Sequence, residues 1–111
     1  MKLLFINSMA ILLSFSLHAQ SGQSEILSDK IAQKMKDSIS LSASQKSQLY
    51  QINLDLHARK LSVWQQYSDV DSVQVHLQKL ENTRDSLYRP VLSNQQFVLY
   101  SQKKKNLISN N

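Results

Sequence analysis

Histidines and carboxylates are the residues of this chain that could bind a metal ion or move a proton. His57 and His76 follow the N-terminal segment, and neither has an acid or a second histidine three or four positions away. A metal site on a helix needs such a neighbour, because side chains at i and i+4 share one face. We therefore expect no metal ion and interpret both histidines as solvated or interfacial.

No pattern in the sequence predicts an enzyme or a cofactor. The chain has no cysteine, no glycine-rich phosphate loop and no nucleophile elbow. Its eight acidic residues are scattered, mostly beside lysine or arginine or in predicted first helical turns, where solvation or capping explains them. We expect neither a catalytic residue nor a bound cofactor.

Lys103, Lys104 and Lys105 form the one run of like charges. Cations in the last turns of a helix complement its dipole, so we interpret the run as a solvated helix end. Contact with an acidic partner or an anionic membrane surface is the alternative. Nucleic acid is not expected as a partner, because the net charge of +5 is only a mild bias.

Cationic residues are also interleaved with aromatic ones in the second half of the chain. This cationic and aromatic set consists of Arg59, Lys60, Trp64, Tyr67, Arg84, Tyr88 and Arg89. Such side chains offer contact area without demanding one sequence of a partner. The alternative is an ordinary helical surface whose apolar face lies in the core.

Two short repeats begin helices that position these residues. Leu41-Ser42-Ala43-Ser44-Gln45 is echoed fifty-one positions later by Leu92-Ser93-Asn94-Gln95-Gln96. Each repeat has the form of a capping box, in which the serine hydroxyl and the glutamine side chain satisfy each other's backbone N–H groups. One glycine and one proline in the whole chain also favour helix over sheet.

The spacing of apolar residues predicts four helices. The first starts at Ser24 with Ile26, Leu27, Ile31, Met35 and Ile39; the second runs from about Ala43 to Tyr67, the third from about Asp69 to Tyr88, and the fourth starts at Ser93. The expected fold class is all-α, with three long helices plus a shorter N-terminal helix. We expect an elongated hairpin or cradle rather than a closed bundle, because the second helix is a long rod.

Two features of the third helix affect the candidate residues. Arg84 falls on its heptad seam of apolar residues. A position at the rim, with the charge reaching water, is the favoured interpretation, and a charge on a partner-facing surface is the alternative. Pro90 is expected to force Arg89 away from helical geometry and to end this helix.

The paired repeats resemble the two LTxxQ motifs of the Spy/CpxP-like periplasmic proteins, with Ser42 and Ser93 in place of threonine. The resemblance implies a small helical ATP-independent periplasmic chaperone or envelope-stress accessory protein. It also implies that the cationic and aromatic set lines a cradle for unfolded or partly folded clients, and that two chains form a homodimer. A regulatory binding subunit for a sensor's periplasmic domain and a membrane-surface helical protein are the alternatives.

The N-terminal residues indicate export. Residues 1–19 are typical of a signal peptide, since Lys2 precedes an apolar stretch and a cleavage position lies near Ala19. An uncleaved amphipathic anchor is the alternative, and either places the protein in the periplasm or outside the cell. Residues 20–24 are expected to be a disordered tether, 25–108 a helical LTxxQ-type domain, and 109–111 a tail.

Overall fold

Four helices make up the part of the chain that the structure describes. The computed structural model describes residues 22–108, in which α1 spans residues 22–39, α2 Ala43–Gln66, α3 Val70–Tyr88 and α4 Asn94–Ile108. No strand occurs within this range, so the predicted all-α fold is confirmed. α1 is longer than the 15 residues of α4, so the N-terminal helix is not the shortest of the four.

Residues 22–24 are part of helix α1 instead of a disordered tether. Ser24 is buried, and one turn later the carbonyl of the buried Ser28 accepts from Asn53 Nδ2 of α2 at 3.1 Å. The tether prediction is wrong for these residues, because the start of α1 packs against α2. Ile26 is 69% exposed and does not belong to the apolar stripe. The predicted signal peptide, residues 20 and 21 and the predicted tail lie outside the described residues.

The turn between α1 and α2 contains a residue in the left-handed region. Ser40 has a φ of 57°, the one positive φ among the described non-glycine residues. The Leu41 N–H donates to the Lys36 carbonyl at 3.3 Å, which is the longer bond of a Schellman motif. Glycine is the usual residue at this position, because a Cβ atom makes the left-handed conformation costly.

The helices pack in the order in which they occur, and α4 returns to α1. α2 and α3 are joined by residues 67–69 alone and pack as an antiparallel pair. The Tyr100 hydroxyl of α4 donates to Asp85 Oδ1 of α3 at 2.7 Å. Lys103 of α4 donates to the Ser38 carbonyl near the end of α1 at 3.1 Å. These contacts and the core residues that the four helices and their turns contribute place the helices around one shared interior.

The hydrophobic core lies where the four helices meet. Its buried members are Met35, Ile39, Leu41, Leu49, Tyr88, Leu92, Tyr100 and Leu107. Beyond this core, α2 and α3 continue as a two-helix hairpin in which Val63 and Val73 are buried. The 24 residues of α2 form a rod of about 36 Å at 1.5 Å per residue, and this length carries the hairpin beyond the core.

The two repeated motifs form the capping boxes that the sequence predicts. At α2, the Gln45 N–H donates to Ser42 Oγ at 3.0 Å, and the Ser42 N–H donates to Gln45 Oε1 at 2.9 Å. At α4, the Gln96 N–H donates to Ser93 Oγ at 3.1 Å, and the Ser93 N–H donates to Gln96 Oε1 at 2.9 Å. The leucine that opens each motif is buried in the core, so each motif also fixes its turn to the interior.

The glutamines of the two capping boxes bond to each other, and we call Gln45 and Gln96 the glutamine pair. Gln45 Nε2 donates to Gln96 Oε1 at 2.7 Å, and Gln96 Nε2 donates to Gln45 Oε1 at 3.1 Å. Gln45 Nε2 also donates to the Val91 carbonyl at 3.0 Å, and Gln96 Nε2 to the Ser40 carbonyl at 3.2 Å. Ser40 and Val91 are again fifty-one positions apart, so the contact has the symmetry of the sequence repeat.

Arg89 keeps helical backbone angles although it precedes Pro90. Its φ of −54° and ψ of −46° lie in the right-handed helical region, and its N–H donates to the Asp85 carbonyl. The prediction that Pro90 forces Arg89 out of helical geometry is therefore wrong. The Arg89 guanidinium lies 4.6 Å from the centroid of the Phe97 ring, a cation–π contact that stabilises this conformation of the turn.

Candidate functional site

A cleft lies between the N-terminal half of α1, the middle of α2 and the end of α4. It has a volume of about 160 Å³ and is lined by Leu27, Ser28, Ile31, Asn53, His57, Lys60, Leu61, Trp64, Arg84 and Ile108. Aliphatic side chains from α1, α2 and α4 line the cleft together with the indole of Trp64. Polar side chains from α2 and α3 supply the rest of the wall. The cleft is therefore amphipathic.

Arg84 is the buried charge of this cleft. It is 3% exposed, although its guanidinium is always charged. Its Nη1 donates to Asn53 Oδ1 and to the Tyr88 hydroxyl at 2.9 Å each, and its Nε donates to Glu81 Oε2 at 3.0 Å. Both predicted positions of Arg84 are wrong, because hydrogen bonds to polar partners on α2 and α3 hold the guanidinium in the interior.

Glu81 joins Arg84 to Lys60. Lys60 Nζ lies 2.7 Å from Glu81 Oε1, and Arg84 Nη2 donates to the same oxygen at 3.5 Å. Burial alone would raise the pKa of Glu81, but the hydrogen bond from Lys60 and the charge of Arg84 outweigh burial and lower it. Glu81 is therefore ionised at neutral pH, and one negative charge faces two positive ones.

Asn53 connects the charged residues to α1. Its side chain is buried, its Oδ1 accepts from Arg84 and from the Tyr88 hydroxyl, and its Nδ2 donates to the Ser28 carbonyl. A buried amide costs free energy unless it is hydrogen-bonded. Asn53 meets this requirement with partners on α1 and α3, so it holds three helices in register around the cleft.

Two buried tyrosines extend the polar network from the cleft into the core. Tyr88 and Tyr100 pack edge to face with ring centroids 5.2 Å apart. The Tyr100 hydroxyl donates to Asp85 Oδ1 at 2.7 Å, and Lys104 Nζ lies 2.9 Å from the same oxygen. Burial raises the pKa of both tyrosines, and the Asp85 carboxylate adds to the rise at Tyr100. Both hydroxyls therefore stay protonated and donate hydrogen bonds.

The two histidines lie at separate places. His57 lines the cleft, and burial together with the charge of Lys60 lowers its pKa, so it is neutral at pH 7. His76 stacks on Tyr67 with ring centroids 4.1 Å apart, and its Nδ1 lies 2.8 Å from the Ser72 carbonyl oxygen. Within residues 22–108, no group of three or more histidine or acidic side chains is placed to hold a metal ion.

Three members of the predicted cationic and aromatic set meet at the cleft. They are Lys60, Trp64 and Arg84. Trp64 is 61% exposed, and Lys60 is partly buried by its contact with Glu81. The cleft therefore has an accessible indole and an accessible ammonium above a buried guanidinium.

The other four members of the set lie elsewhere. Tyr88 is in the core, Tyr67 packs on His76 beside the turn between α2 and α3, Arg59 pairs with Asp55 on α2, and Arg89 lies over Phe97. The set is not one surface, because neighbouring positions on α2 and α3 face different directions. Proximity in sequence was therefore a poor guide to which of these side chains meet.

The lysine run of α4 contacts neighbouring helices. Lys103 donates to the Ser38 carbonyl, Lys104 pairs with Asp85, and Lys105 is exposed in the last turn of α4. A lysine beside the last carbonyls of a helix satisfies an acceptor and complements the dipole. The helix end that Lys103 serves is that of α1.

Asn53 and Glu81 are among the site residues that sequence reasoning missed. Asn53 falls on the buried stripe of α2 between Leu49 and Leu56, just as Arg84 falls on the seam of α3. Buried polar residues are almost always hydrogen-bonded. A polar residue on each of two facing apolar stripes indicates that the two side chains bond to each other. This pattern in the sequence would have identified Asn53.

Within the described residues, no helix is long and apolar enough to span a lipid bilayer. In comparisons with known proteins, no family model, no curated protein and no solved structure matches this chain.

Proposed function

We propose that the protein is an exported, ATP-independent chaperone, or envelope-stress accessory protein, of the kind that its resemblance to the Spy/CpxP-like proteins implies. One observation carries the proposal. Of the seven large hydrophobic side chains that are exposed in the described chain, four lie on the two-helix hairpin: Leu61, Trp64, Val70 and Val75.

Exposed apolar side chains suit the binding of unfolded polypeptide. Single exposed hydrophobic residues are common, but several on one element mark an interaction surface. Val70 is 65% exposed and Val75 is 54% exposed, and Arg59 and Lys60 place cations on the same hairpin. Apolar contact supplies affinity for any unfolded segment, while the cations keep the surface soluble and attract acidic clients.

The glutamine pair supports the resemblance. Each LTxxQ-like motif forms a capping box, and the two boxes bond to each other between the first turns of α2 and α4. A motif that served one helix start alone would give no reason for a second copy. The paired contact makes the two copies one structural unit, which is what a family defined by two motifs requires.

The test is suppression of aggregation of an unrelated unfolding protein. The variant Val70→Ser with Val75→Ser removes apolar surface from the hairpin without touching the cleft. The matched control is Val98→Ser with Leu99→Ser, since both of these residues are exposed on α4. We expect the wild type and the control to suppress aggregation, and the hairpin variant to lose most of the effect.

Three outcomes would redirect the proposal. Equal loss in the hairpin variant and the control means that no defined surface binds clients. Binding of anionic vesicles without suppression of aggregation supports the membrane-surface helical protein. If neither activity is found, the regulatory binding subunit for a sensor's periplasmic domain replaces the chaperone, and its partner is sought by cross-linking in the cell envelope.

Export and dimerisation are part of the proposal. Residues 1–19 are proposed to be removed, so protein recovered from the periplasm should begin at Gln20 on N-terminal sequencing. A homodimer would cover part of the apolar hairpin surface. Sedimentation equilibrium at about 50 μM should give twice the mass of the chain, because at this concentration a dimer of micromolar affinity is mostly formed. A monomer under these conditions contradicts the homodimer.

A further inference from the structure

The cleft is lined by cationic side chains and by apolar side chains. Lys60 and Arg84 bond to the same oxygen of Glu81, so the ammonium and the guanidinium lie beside each other. Leu61, Trp64 and Ile108 line the same cleft. Two cations and one carboxylate leave a net positive charge at this wall, to which the neutral His57 adds none at pH 7.

Arg84 keeps one donor for a ligand. A guanidinium has five N–H groups. Nε donates to Glu81, Nη1 donates to Asn53 and to Tyr88, and Nη2 donates to Glu81 in the long 3.5 Å contact. The second Nη2 proton has no acceptor among the described residues. A charged donor held almost out of water gains more from an anion than an exposed one does.

The size of the cleft limits the apolar part of the ligand. An engineered apolar cavity of about 150 Å³ binds benzene, and this cleft has about 160 Å³. One aromatic ring or one leucine-sized group therefore fits beside the exposed indole of Trp64. The cationic wall is within reach of an acid group attached directly to that apolar group.

We propose that the cleft is a binding site for a carboxylate that carries one aromatic or branched aliphatic group. The carboxylate oxygens accept from Arg84 Nη2 and from Lys60, and the apolar group lies against Trp64 and Leu61. Two sources offer this chemistry, a free aromatic or aliphatic acid and the C-terminal residue of a polypeptide. The site does not depend on chaperone activity, since a chain that fails to suppress aggregation still contains the cleft.

Trp64 provides the measurement, because it is the one tryptophan of the sequence. Purified protein is titrated with phenylacetate and with its neutral isostere phenylacetamide while tryptophan emission is followed. Two short peptides ending in phenylalanine, one with a free carboxylate and one amidated, form the second pair of ligands. We expect saturable changes in emission with the acids and affinities at least tenfold weaker for the amides.

Lys60→Gln and Arg59→Gln form the matched pair of variants. Both remove one positive charge from adjacent positions on α2 and both break one salt bridge, but Lys60 alone lines the cleft. Lys60→Gln should weaken binding of phenylacetate about tenfold, the cost of one charge-assisted hydrogen bond. Arg59→Gln should change it less than twofold.

The results separate the two ligand sources and can overturn the site. Saturation by phenylacetate identifies a small-acid site, whereas saturation by the peptide acid alone identifies a C-terminal residue as the ligand. Amides that bind as tightly as acids would overturn the proposal, and so would equal effects of the two variants or no saturable change with any acid. Calorimetry with Trp64→Leu, expected to weaken binding severalfold, checks the apolar contact independently of fluorescence.

Discussion

Gln96→Glu distinguishes a helix cap from a contact between the two halves of the chain. Glutamate is as good as glutamine in a capping box, since either side chain accepts from the serine N–H. If Gln96 served only to cap α4, this substitution would be neutral or slightly stabilising, because a negative charge at a helix N-terminus is favourable. The contact between Gln45 and Gln96 instead predicts that Gln96→Glu lowers the free energy of unfolding.

The expected magnitude follows from the bonds of Gln96 Nε2. This nitrogen donates to the Ser40 carbonyl at 3.2 Å and to Gln45 Oε1 at 3.1 Å. A carboxylate oxygen in its place loses both hydrogen bonds, at about 1 kcal/mol each, and brings oxygen against oxygen. The free energy of unfolding should fall by about 2 to 3 kcal/mol, or roughly 10 °C or more in Tm for a domain of this size.

Urea denaturation followed by circular dichroism at pH 7 is the assay, with Gln95→Glu as the control. Gln95 is exposed in the same first turn of α4, so its substitution adds the same charge at the same helix end without touching Gln45. The introduced carboxyl at position 96 gains from protonation in the folded state, which restores one donor. The difference in free energy of unfolding between Gln96→Glu and wild type should therefore shrink as the pH falls below about 5.

A Gln96→Glu variant as stable as Gln95→Glu would refute the pairing of the two capping boxes. A double-mutant cycle adds a second criterion, because residues in direct contact show coupling energies of about 0.5–3 kcal/mol. Gln45→Ala and Gln96→Ala should cost less together than the sum of their separate costs. Additive losses would mean that each glutamine acts on its own helix.

Four further substitutions test the turns and the charged network. Ser40→Gly should raise the free energy of unfolding by about 1 kcal/mol, because glycine adopts the positive φ freely; a lower stability in urea would argue against this backbone conformation. Ser42→Ala and Ser93→Ala should each cost about 1 kcal/mol through the lost cap, and melting curves that coincide with wild type would contradict this. The lowered pKa of Glu81 means that its stabilising effect is present above its unfolded pKa of about 4.3 and is lost as pH falls through the folded value. Glu81→Gln should therefore be less stable than wild type at pH 7 and lose less stability between pH 5 and pH 3, and equal acid sensitivity of the two proteins would rule out this contribution.

The fold was predictable because its helix boundaries are encoded locally. Ser42 and Ser93 cap helices with the residues that follow them within one turn, so the starts of α2 and α4 follow from five residues each. Asp69 caps α3 in the same way by accepting from the Ser72 N–H. The end of α1 was harder, because Ser40 occupies a left-handed position that glycine normally marks.

The candidate site was predictable only in part, because it depends on which helices are neighbours. Trp64 and Lys60, which were proposed as client-binding residues from their chemical type, both line the cleft, yet Arg59, one residue away from Lys60, faces solvent. The interior position of Arg84 requires Asn53 on the facing helix, and no property of Arg84 itself predicts that. Local pattern fixes a helix and its apolar face, whereas pairing of polar groups needs the tertiary arrangement.

The glutamine pair also limits which substitutions this sequence can accept during evolution. A carboxylate at either position meets an oxygen, and an alkyl side chain leaves amide donors of the other glutamine without their acceptor. Small domains are stable by only about 5–15 kcal/mol, so each single replacement consumes a substantial fraction of the margin. A descendant reaches a different compatible combination only through a less stable ancestor or through simultaneous change at both sites. A substitution at one glutamine therefore costs less stability when the other glutamine changes with it.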